Sequence, residues 1–348
     1  MLIIGQLTVT RLLQRILMVE TRSKRKASRS QEPRPSKKSR TRKASIANSA
    51  DDIQPQRQST EPEMEASQAI ADGSTIDKTA ITLPATLTFS FEDGKQHLIS
   101  VDRRFEKLFN HTPCKPFEEL ETVHPFSALA ASILGQQISS MAARTITHRF
   151  KRLFDPTLPE NPVECVDHKT ALQSLFFPSP QQVGYATVET LKSAGLSTRK
   201  AEYVKDLAAR FADGRLSPQK LAEATDEELM NMLIEVRGIG KSIVDMFSIF
   251  SMRRPDILPV GDLGVQRGIL RWFLEPHSAL QPTDDGVQSD NDDVMPPPLP
   301  EGLNVQLLKG RLTGKKVRGA FLTPLEMEEI TRSWKPYRSL GVYYMWNL

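Results

Sequence analysis

The segment from Leu233 to Gly268 constrains the fold more than any other part of the chain. A run with helical spacing ends in Gly238-Ile239-Gly240, and a second helical run begins at Lys241. Because glycine lets a backbone approach a phosphate closely and a helix N-terminus offers free N–H groups, this turn predicts a phosphate-binding hairpin. One helix length later, an apolar stretch is followed by a single acid, Asp262. The segment therefore predicts a phosphate site at one end of a helix and a carboxylate at the other.

Each of these features also has a plainer interpretation. A Gly-x-Gly turn is often only a joint between two helices, although Lys241 adds positive charge to this one. An Asp before a helix is commonly an N-cap, but Val265, three residues after Asp262, does not complete a capping box. Capping and catalysis are compatible, because helix N–H groups help to keep a carboxylate ionised. On these residues alone, both interpretations remain open.

The basic charge of the chain is concentrated near its N-terminus. Residues 22–43 contain eleven Lys or Arg and one acid, whereas the whole chain has a net charge of +4. This pattern predicts a nuclear-import signal or a loose nucleic-acid contact, and a solvated tail without a specific role is the alternative. The first twenty residues are apolar with two arginines, which fits either a mitochondrial presequence or an extension upstream of a second start at Met18. We expect a nuclear protein, with the mitochondrion as the other destination.

Cysteine count and hydropathy exclude several classes of protein. The chain has two cysteines, Cys114 and Cys165, which are too few for a disulfide framework, a zinc ribbon or a four-cysteine iron–sulfur cluster. No apolar run reaches the roughly 18 residues that a membrane span needs. We therefore expect no metal site of these kinds and no membrane partner.

Composition divides the chain into two parts. Residues 1–79, which include the basic segment, are predicted to be a disordered tail with a targeting segment. Residues 80–348 are predicted to form one helical domain. Within it, residues 80–100 alternate weakly around Glu92-Asp93-Gly94, which favours a β-hairpin. Residues 275–319, with acidic, proline and basic runs, are predicted to be a flexible surface insertion.

Apolar spacing and capping residues place helices along the rest of the domain. The predicted helices are 125–150 with a break at 135–137, then 182–194, 198–212, 217–224, 226–235, the hairpin helix after Lys241, 263–274, and one or two within 324–346.

Several sequence blocks occur in the order found in one known family. They are Ile133 to Ser139 (ILGQQIS), Phe177 to Pro180 (FPSP), Ala194 to Ala201 (AGLSTRKA), the glycine hairpin, Gly261 to Val265 (GDLGV), and Trp334 to Ser339 (WKPYRS). With them the chain resembles the helix-hairpin-helix DNA glycosylases over about residues 117–346. It is most similar to the bacterial and fungal 3-methyladenine DNA glycosylase II branch. The resemblance implies a mostly α, two-lobed helical helix-hairpin-helix glycosylase fold.

The resemblance also implies a reaction. Such an enzyme flips an alkylated purine, of the 3-methyladenine or 7-methylguanine type, out of duplex DNA and hydrolyses its N-glycosidic bond, the first step of base excision repair. Asp262 would stabilise the oxocarbenium-like sugar and accept a proton from water. Ser242 stands where the bifunctional glycosylase/lyases carry a Schiff-base lysine, so a monofunctional hydrolase is implied. The branch usually has a tryptophan there, which leaves the base preference open.

The family also implies binding roles for other residues. Gln137 would be the plug that enters the base stack, with Ser139 beside it at the minor groove; the alternative is a pair of exposed loop glutamines, Gln136 and Gln137. Trp346, Tyr343 and Ser242 would line the base pocket, and Trp334 would be core. The DNA backbone would be held by Gly238, Ile239, Gly240 and Lys241.

Two other functions compete with the monofunctional hydrolase. One is a non-catalytic helix-hairpin-helix DNA-binding protein, which the Ser242 departure allows. The other is a glycosylase/lyase. In the leading interpretation the protein is a monomer that binds double-stranded DNA and needs no cofactor, although hairpin carbonyls of this fold can hold a monovalent cation.

Overall fold

In the computed structural model, the described residues are 82–161, 176–279, 299–314, 317 and 319–348, and they are mostly helical. The expected mostly α fold is confirmed. The α-helices in chain order are α1 Phe91–Val101, α2 Arg104–His111, α3 Lys115–Glu118, α4 Pro125–Gly135, α5 Ser140–Arg152, α6 Pro180–Tyr185, α7 Val188–Ser193, α8 Thr198–Ala212, α9 Pro218–Glu223, α10 Asp226–Ile234, α11 Lys241–Phe250, α12 Leu263–Ala279, α13 Val305–Leu312, α14 Pro324–Ile330 and α15 Arg338–Met345. A 3-10 turn, Arg332–Trp334, precedes α15. None of the helices in these ranges is both long and apolar enough to cross a membrane.

The buried side chains form two hydrophobic cores, which are the two expected lobes. The first core is built mainly on α1, α2, α12 and α15, and it includes the buried Trp334. The second core is built mainly on α4, α8 and α10. Because apolar burial is the main stabilising contribution to each, both lobes are held by ordinary helix packing.

Helix α11 contributes to both cores. Ile243, Val244 and Phe247 pack in the second core, whereas Met246, Ile249 and Phe250 pack in the first. All residues from 243 to 250 are buried, so α11 is enclosed around its whole circumference, as expected for a helix surrounded by protein. The helix that follows the glycine hairpin is therefore the element that the two lobes share.

The predicted β-hairpin within residues 80–100 is wrong. Residues 91–101 form α1, whose N-cap Ser90 accepts a hydrogen bond from Asp93 N at 3.2 Å. Gly94 is not a turn residue: a Cβ at this position would lie 3.1 Å from side-chain atoms of both Tyr337 and Leu340. The glycine allows a close approach between α1 and the start of α15, which sequence spacing does not show.

The flexible insertion predicted for residues 275–319 is wrong at both ends. Helix α12 continues to Ala279, and α13 occupies Val305–Leu312. Leu308 of α13 is fully buried in the first core, and Arg311 forms an ion pair with Glu326 at 2.7 Å. The middle of this segment, 280–298, and the tail predicted for 1–79 lie outside the described residues.

The other helix predictions differ in detail. The helix predicted for 182–194 is divided into α6 and α7, because Thr187 accepts a hydrogen bond from Thr190 N at 3.1 Å and starts a new helix. The break predicted at 135–137 is confirmed between α4 and α5.

Candidate active site

The glycine hairpin leaves the N-terminus of α11 without a side-chain cap. Helices α4 to α10 each begin at a side chain that accepts a backbone N–H bond. Helix α11 instead begins at the exposed Gly240, which has no side chain to do so. The N-terminus of α11 therefore has no side-chain cap to compete with an anion, an arrangement that suits a phosphate oxygen.

Ile239 and Gly238 fix the shape of the hairpin. The Ile239 side chain is buried in the second core, so the predicted backbone contact at this residue can involve only its main chain. Gly238 has φ +86°, and a Cβ there would lie 2.6 Å from Cγ of Tyr203. Glycine is therefore required at 238 for both conformation and space.

Lys241 is engaged within its own helix. Its Nζ lies 3.2 Å from Oδ1 of Asp245, one turn along α11. Asp245 is buried, and this burial raises its pKa to about 6, with the charge of Asp262 adding to the rise and Lys241 opposing it. Lys241 therefore neutralises a buried acid, and its role at a phosphate remains a prediction.

Asp262 lies at the start of α12 and acts as its N-cap. Its Oδ1 accepts hydrogen bonds from Val265 N at 2.8 Å and from the indole Nε1 of Trp346 at 3.1 Å. The residue is 2% exposed. Burial raises the pKa of Asp262, while the bonds from Val265 N, Trp346 and Gly264 N and the nearby Arg267 charge lower it. A buried carboxylate held this way can face a developing positive charge.

Trp346 brings the C-terminal end of the chain to this carboxylate. It follows directly after α15, and its ring packs against the buried Phe250 of α11 with a centroid distance of 5.4 Å. Unlike Trp272 and Trp334, which are buried, Trp346 is partly exposed. One tryptophan therefore touches the hairpin helix, the carboxylate and solvent together, and its role in the base pocket remains a prediction.

The structure does not bring Tyr343 into this group by any contact in the described ranges. Tyr343 is buried, and its hydroxyl donates to the carbonyl of Pro113 at 3.3 Å. Burial raises its pKa to about 12, so it is a neutral donor near pH 7. Ser242, the second residue of α11, is partly exposed beside the hairpin. The pocket roles of Tyr343 and Ser242 remain predictions.

The loop between α4 and α5 presents the predicted plug. Gln137 is exposed and has φ +58°, which is uncommon for a residue other than glycine. Ser139 is exposed as well, and its Oγ accepts from Ala142 N at 3.2 Å as the N-cap of α5. The N-cap hydrogen bond is enough to explain a serine at position 139, so the minor-groove contact of Ser139 stays a prediction.

Contacts that sequence analysis did not find hold this loop against the hairpin. Gln136 Nε2 donates to the carbonyl of Gly238 at 2.7 Å. Lys200 Nζ donates to the carbonyls of Leu134 and Gln136 at 2.8 and 2.7 Å. Burial lowers the pKa of Lys200 to about 8. The AGLSTRKA block contains Lys200, but its spacing gives no sign of a contact 64 residues away.

Gln266 is a second residue that the sequence analysis missed. Buried in α12, it donates to the carbonyl of Val260 and accepts from Phe321 N at 2.9 Å. It therefore ties the turn before Asp262 to the segment that leads into α14. The predicted cation at the hairpin stays a prediction; the Gly238 carbonyl already accepts one hydrogen bond, from Gln136.

Comparison with known proteins places this site in a family. The model of the HhH-GPD superfamily of base excision DNA repair proteins matches residues 130–297, which include the plug loop, the hairpin and Asp262. The DNA-3-methyladenine glycosylase 1 of Schizosaccharomyces pombe is 28% identical over 51% of this chain and 72% of its own length. The DNA-3-methyladenine glycosylase of Saccharomyces cerevisiae is 28% identical over 64% of this chain and 66% of its own length.

Among solved structures, the 3-methyladenine DNA glycosylase of Schizosaccharomyces pombe in complex with abasic DNA aligns with a TM-score of 0.43 and 21% identity. The alignment covers 73% of this chain and 95% of that chain. The family match, together with the hairpin and the carboxylate within it, leads to one assignment. Residues 130–297 carry a domain of the HhH-GPD superfamily of base excision DNA repair proteins.

Proposed function

We propose that this protein is a monofunctional DNA glycosylase that hydrolyses the N-glycosidic bond of flipped-out alkylated purines in duplex DNA. The observation that carries the proposal is the Asp262 carboxylate, buried at the N-terminus of α12 and bonded to the partly exposed Trp346 beside the hairpin helix. Relatives in two yeasts are named DNA-3-methyladenine glycosylases, which supports the same lesion class.

The proposed reaction uses the charge of one carboxylate. An alkylated purine such as 3-methyladenine carries positive charge, so it leaves without needing an acid on the base. As the bond between the base and C1′ breaks, the sugar becomes oxocarbenium-like, and ionised Asp262 stabilises that charge. A water molecule then attacks C1′ and gives a proton to the carboxylate, leaving an abasic sugar and the free base. Ser242 offers no amine for a Schiff base, which supports hydrolysis without strand cleavage.

Trp346 has two functions in this proposal. Its indole N–H opposes the rise that burial causes in the pKa of Asp262 and so favours the ionised carboxylate. Its ring offers a π face that suits a cationic purine. Because Asp262 is only 2% exposed and is bonded to the Trp346 indole, the proposal includes movement of the Trp346 ring when the nucleotide enters.

The test is the profile of bases released from DNA. Duplexes carrying alkylated, deaminated or oxidised bases are incubated with the protein, and the free bases are separated by chromatography. We expect release of 3-methyladenine or 7-methylguanine and no strand nicking. A strand nicked at the abasic site, together with an adduct trapped by borohydride, would instead identify a lyase. Failure to release any base at high protein concentration would end the proposal.

Substitution of Trp346 separates its two functions. Trp346→Ala removes the ring and is expected to lower base release by about 10- to 100-fold, since one base–aromatic stack contributes about 1–3 kcal/mol. Trp346→Phe keeps a ring but removes the N–H donor, which raises the pKa of Asp262. Because the ionised form is the active one, the acid limb of the rate–pH profile should move to higher pH in Trp346→Phe. An acid limb at the same pH as in wild type would show that the hydrogen bond does not act on catalysis.

A non-catalytic DNA-binding protein is the second candidate, and the low exposure of Asp262 favours it. Under this alternative Trp346 stays in place as a lid, and the carboxylate serves only as the N-cap of α12. Intrinsic fluorescence distinguishes the two, because Trp346 is the partly exposed tryptophan of the three. The alternative expects an abasic duplex to bind without changing the emission.

The basic segment 22–43 supports the proposal that the protein acts in the nucleus. Fluorescent-protein fusions of the chain starting at Met1 and at Met18 test this together with the mitochondrial alternative. We expect nuclear fluorescence from the Met18 fusion. Mitochondrial fluorescence confined to the Met1 fusion would assign the first segment as a presequence, and cytosolic fluorescence from both would contradict the proposal.

A further inference from the structure

We propose that Lys200 is a positioning residue that fixes the Gln137 plug at a set distance from the glycine hairpin. The proposal rests on the proposed function, in that it assumes that Gln137 enters the base stack. It goes further because it assigns a role to a residue that contacts neither the base nor the sugar.

The contacts of Lys200 lie directly before the plug residue in the chain. Its ammonium group donates to the carbonyls of Leu134 and Gln136, at the C-terminal end of α4 and directly before Gln137. Carbonyls at a helix C-terminus have no partner within the helix, and the helix dipole makes this end negative. A partly buried ammonium is therefore a strong partner here, and it holds the chain on the N-terminal side of Gln137.

Gln137 needs such support because of its backbone. A residue other than glycine with φ near +58° is strained by about 1 kcal/mol or more, and it keeps that conformation only when its surroundings impose it. The exposed side chain of Gln137 gives little help. The support comes from the contacts of the residues before it: Lys200 donates to the carbonyls of Leu134 and Gln136, and the Gln136 side-chain amide donates to the Gly238 carbonyl.

The same helix also holds the hairpin. Tyr203 of α8, one turn after Lys200, packs against Gly238, where a Cβ would overlap the ring and lie 2.6 Å from its Cγ. Asp206, the next turn along, accepts a hydrogen bond from Arg237 N at 2.8 Å. Helix α8 therefore contacts the plug loop through Lys200 and the hairpin through Tyr203 and Asp206.

A hydrogen bond also joins the plug loop directly to the hairpin. Gln136 Nε2 donates to the Gly238 carbonyl at 2.7 Å, so the loop and the hairpin also touch each other. The hairpin would hold the DNA backbone while Gln137 fills the space that the flipped base leaves. Both must fit one distorted duplex, and an error of about 1 Å in such positioning can lower a rate by about 100-fold.

The experiment compares Lys200→Met with Lys200→Arg and a matched control, Lys205→Met. Lys205 lies on the same helix and likewise donates to two carbonyls, those of Gly184 and Ala186, at the end of α6 and away from the plug. Both methionine variants lose two bonds to carbonyls, so similar losses of thermal stability are expected. Lys200→Arg keeps a charged donor that can reach the same carbonyls.

Two readouts are measured for each variant. The first is the single-turnover rate of 3-methyladenine release at saturating protein. The second is the fluorescence of 2-aminopurine placed beside an abasic site, which rises when a plug enters and unstacks it. For Lys200→Met we expect the rate to fall by about 10- to 100-fold and the fluorescence rise to be lost. We expect Lys205→Met to behave as wild type in both, and Lys200→Arg to recover most of each.

The two readouts also distinguish failure of this inference from failure of the proposed function. A wild-type protein that releases no base yet gives a fluorescence rise that Lys200→Met abolishes would refute the glycosylase assignment and keep the role of Lys200. Native rate and fluorescence in Lys200→Met would refute that role. Equal losses in Lys200→Met and Lys205→Met would also refute it, since the effect would then be general destabilisation.

Discussion

Asp262→Asn is expected to abolish base release while the protein keeps its fold and its affinity for DNA. The amide cannot supply the negative charge that stabilises the oxocarbenium-like sugar, nor can it take a proton from water. Loss of a single electrostatic contribution of this kind lowers rates by about 100- to 1,000-fold, so at least that loss is expected in single-turnover release of 3-methyladenine. Affinity for an abasic duplex should be unchanged, because it depends on the hairpin backbone.

The same substitution should not destabilise the protein. Asn caps helices about as well as Asp, and its Oδ1 can accept the bonds from Val265 N and Trp346 Nε1. Burial raises the pKa of Asp262 above its unfolded value, so the folded state binds the proton more tightly. The ionised carboxylate therefore lowers stability above that raised pKa. At neutral pH the melting temperature of Asp262→Asn should equal or exceed that of wild type.

Asp102→Asn is the matched control. Asp102 is also buried, and it also accepts a backbone N–H at a helix start, from Arg104 N at 3.1 Å. Its carboxylate, however, forms an ion pair with the Arg104 guanidinium at 2.6 Å, so the Asn variant should lose up to about 3 kcal/mol of stability. Base release should be native once the variant is folded. The opposite pattern, in which Asp262→Asn melts early yet releases base, would make Asp262 a structural cap only.

These contrasts show which features the sequence could predict. The hairpin, Asp262 and the helix after it are local: glycines, an apolar run and an acid in a fixed order determine them. Trp334 was expected in the core and is buried there. Such features are predictable because each depends on residues within one or two turns, or on a block order typical of the family.

Other features depend on distant parts of the chain. Gly94 looks like a turn residue in the sequence, but it is a helix residue that lets Tyr337 approach. Helix α13 lies in a segment with the composition of a flexible loop, and its order is explained by the burial of Leu308 and by the Arg311–Glu326 pair. Tyr337 is far from Gly94 in the sequence, and Glu326 lies in a different helix from Arg311, so no local pattern could indicate these contacts.

The Lys200 contacts belong to the same group. A lysine in the first turn of a helix, next to Arg199, suggests a charge directed at DNA. The structure instead directs its ammonium to carbonyls of α4, a helix 64 or more residues earlier. Tertiary packing decides whether a basic side chain faces a ligand or holds another loop, and charge alone does not distinguish the two.

Gly268→Ala is expected to lower stability more than Gly341→Ala, because a Cβ at 341 would meet a side chain, whereas one at 268 would meet backbone. Gly268 lies in α12, where it meets the backbone of Met345 at the end of α15. A Cβ at this position would overlap the Met345 carbonyl oxygen and lie 2.6 Å from its carbonyl carbon. Since the obstructing atoms are backbone, no side-chain rotation can relieve the overlap, and the two helices must separate.

The separation should disrupt the site as well as the core. Met345 directly precedes Trp346, and Asp262 begins the helix that carries Gly268, so this contact sets the distance between the indole and the carboxylate. Overpacking of this kind costs about 3 kcal/mol or more, which corresponds to a fall in melting temperature of roughly 10 °C for a domain of this size. At a temperature where the variant is folded, its base release should also fall below that of wild type.

Gly184→Ala supplies the control, because Gly184 is also a helical glycine but a Cβ there would meet nothing within 4 Å. Alanine favours a helix over glycine by about 0.5–1 kcal/mol, so Gly184→Ala should be neutral or slightly stabilising. Calorimetry of the two variants beside wild type therefore separates the effect of helix packing on stability from the effect of helix propensity. A Gly268→Ala protein with native melting temperature and native rate would mean that α12 and α15 can move apart freely. The bond between Trp346 and Asp262 would then not depend on their packing.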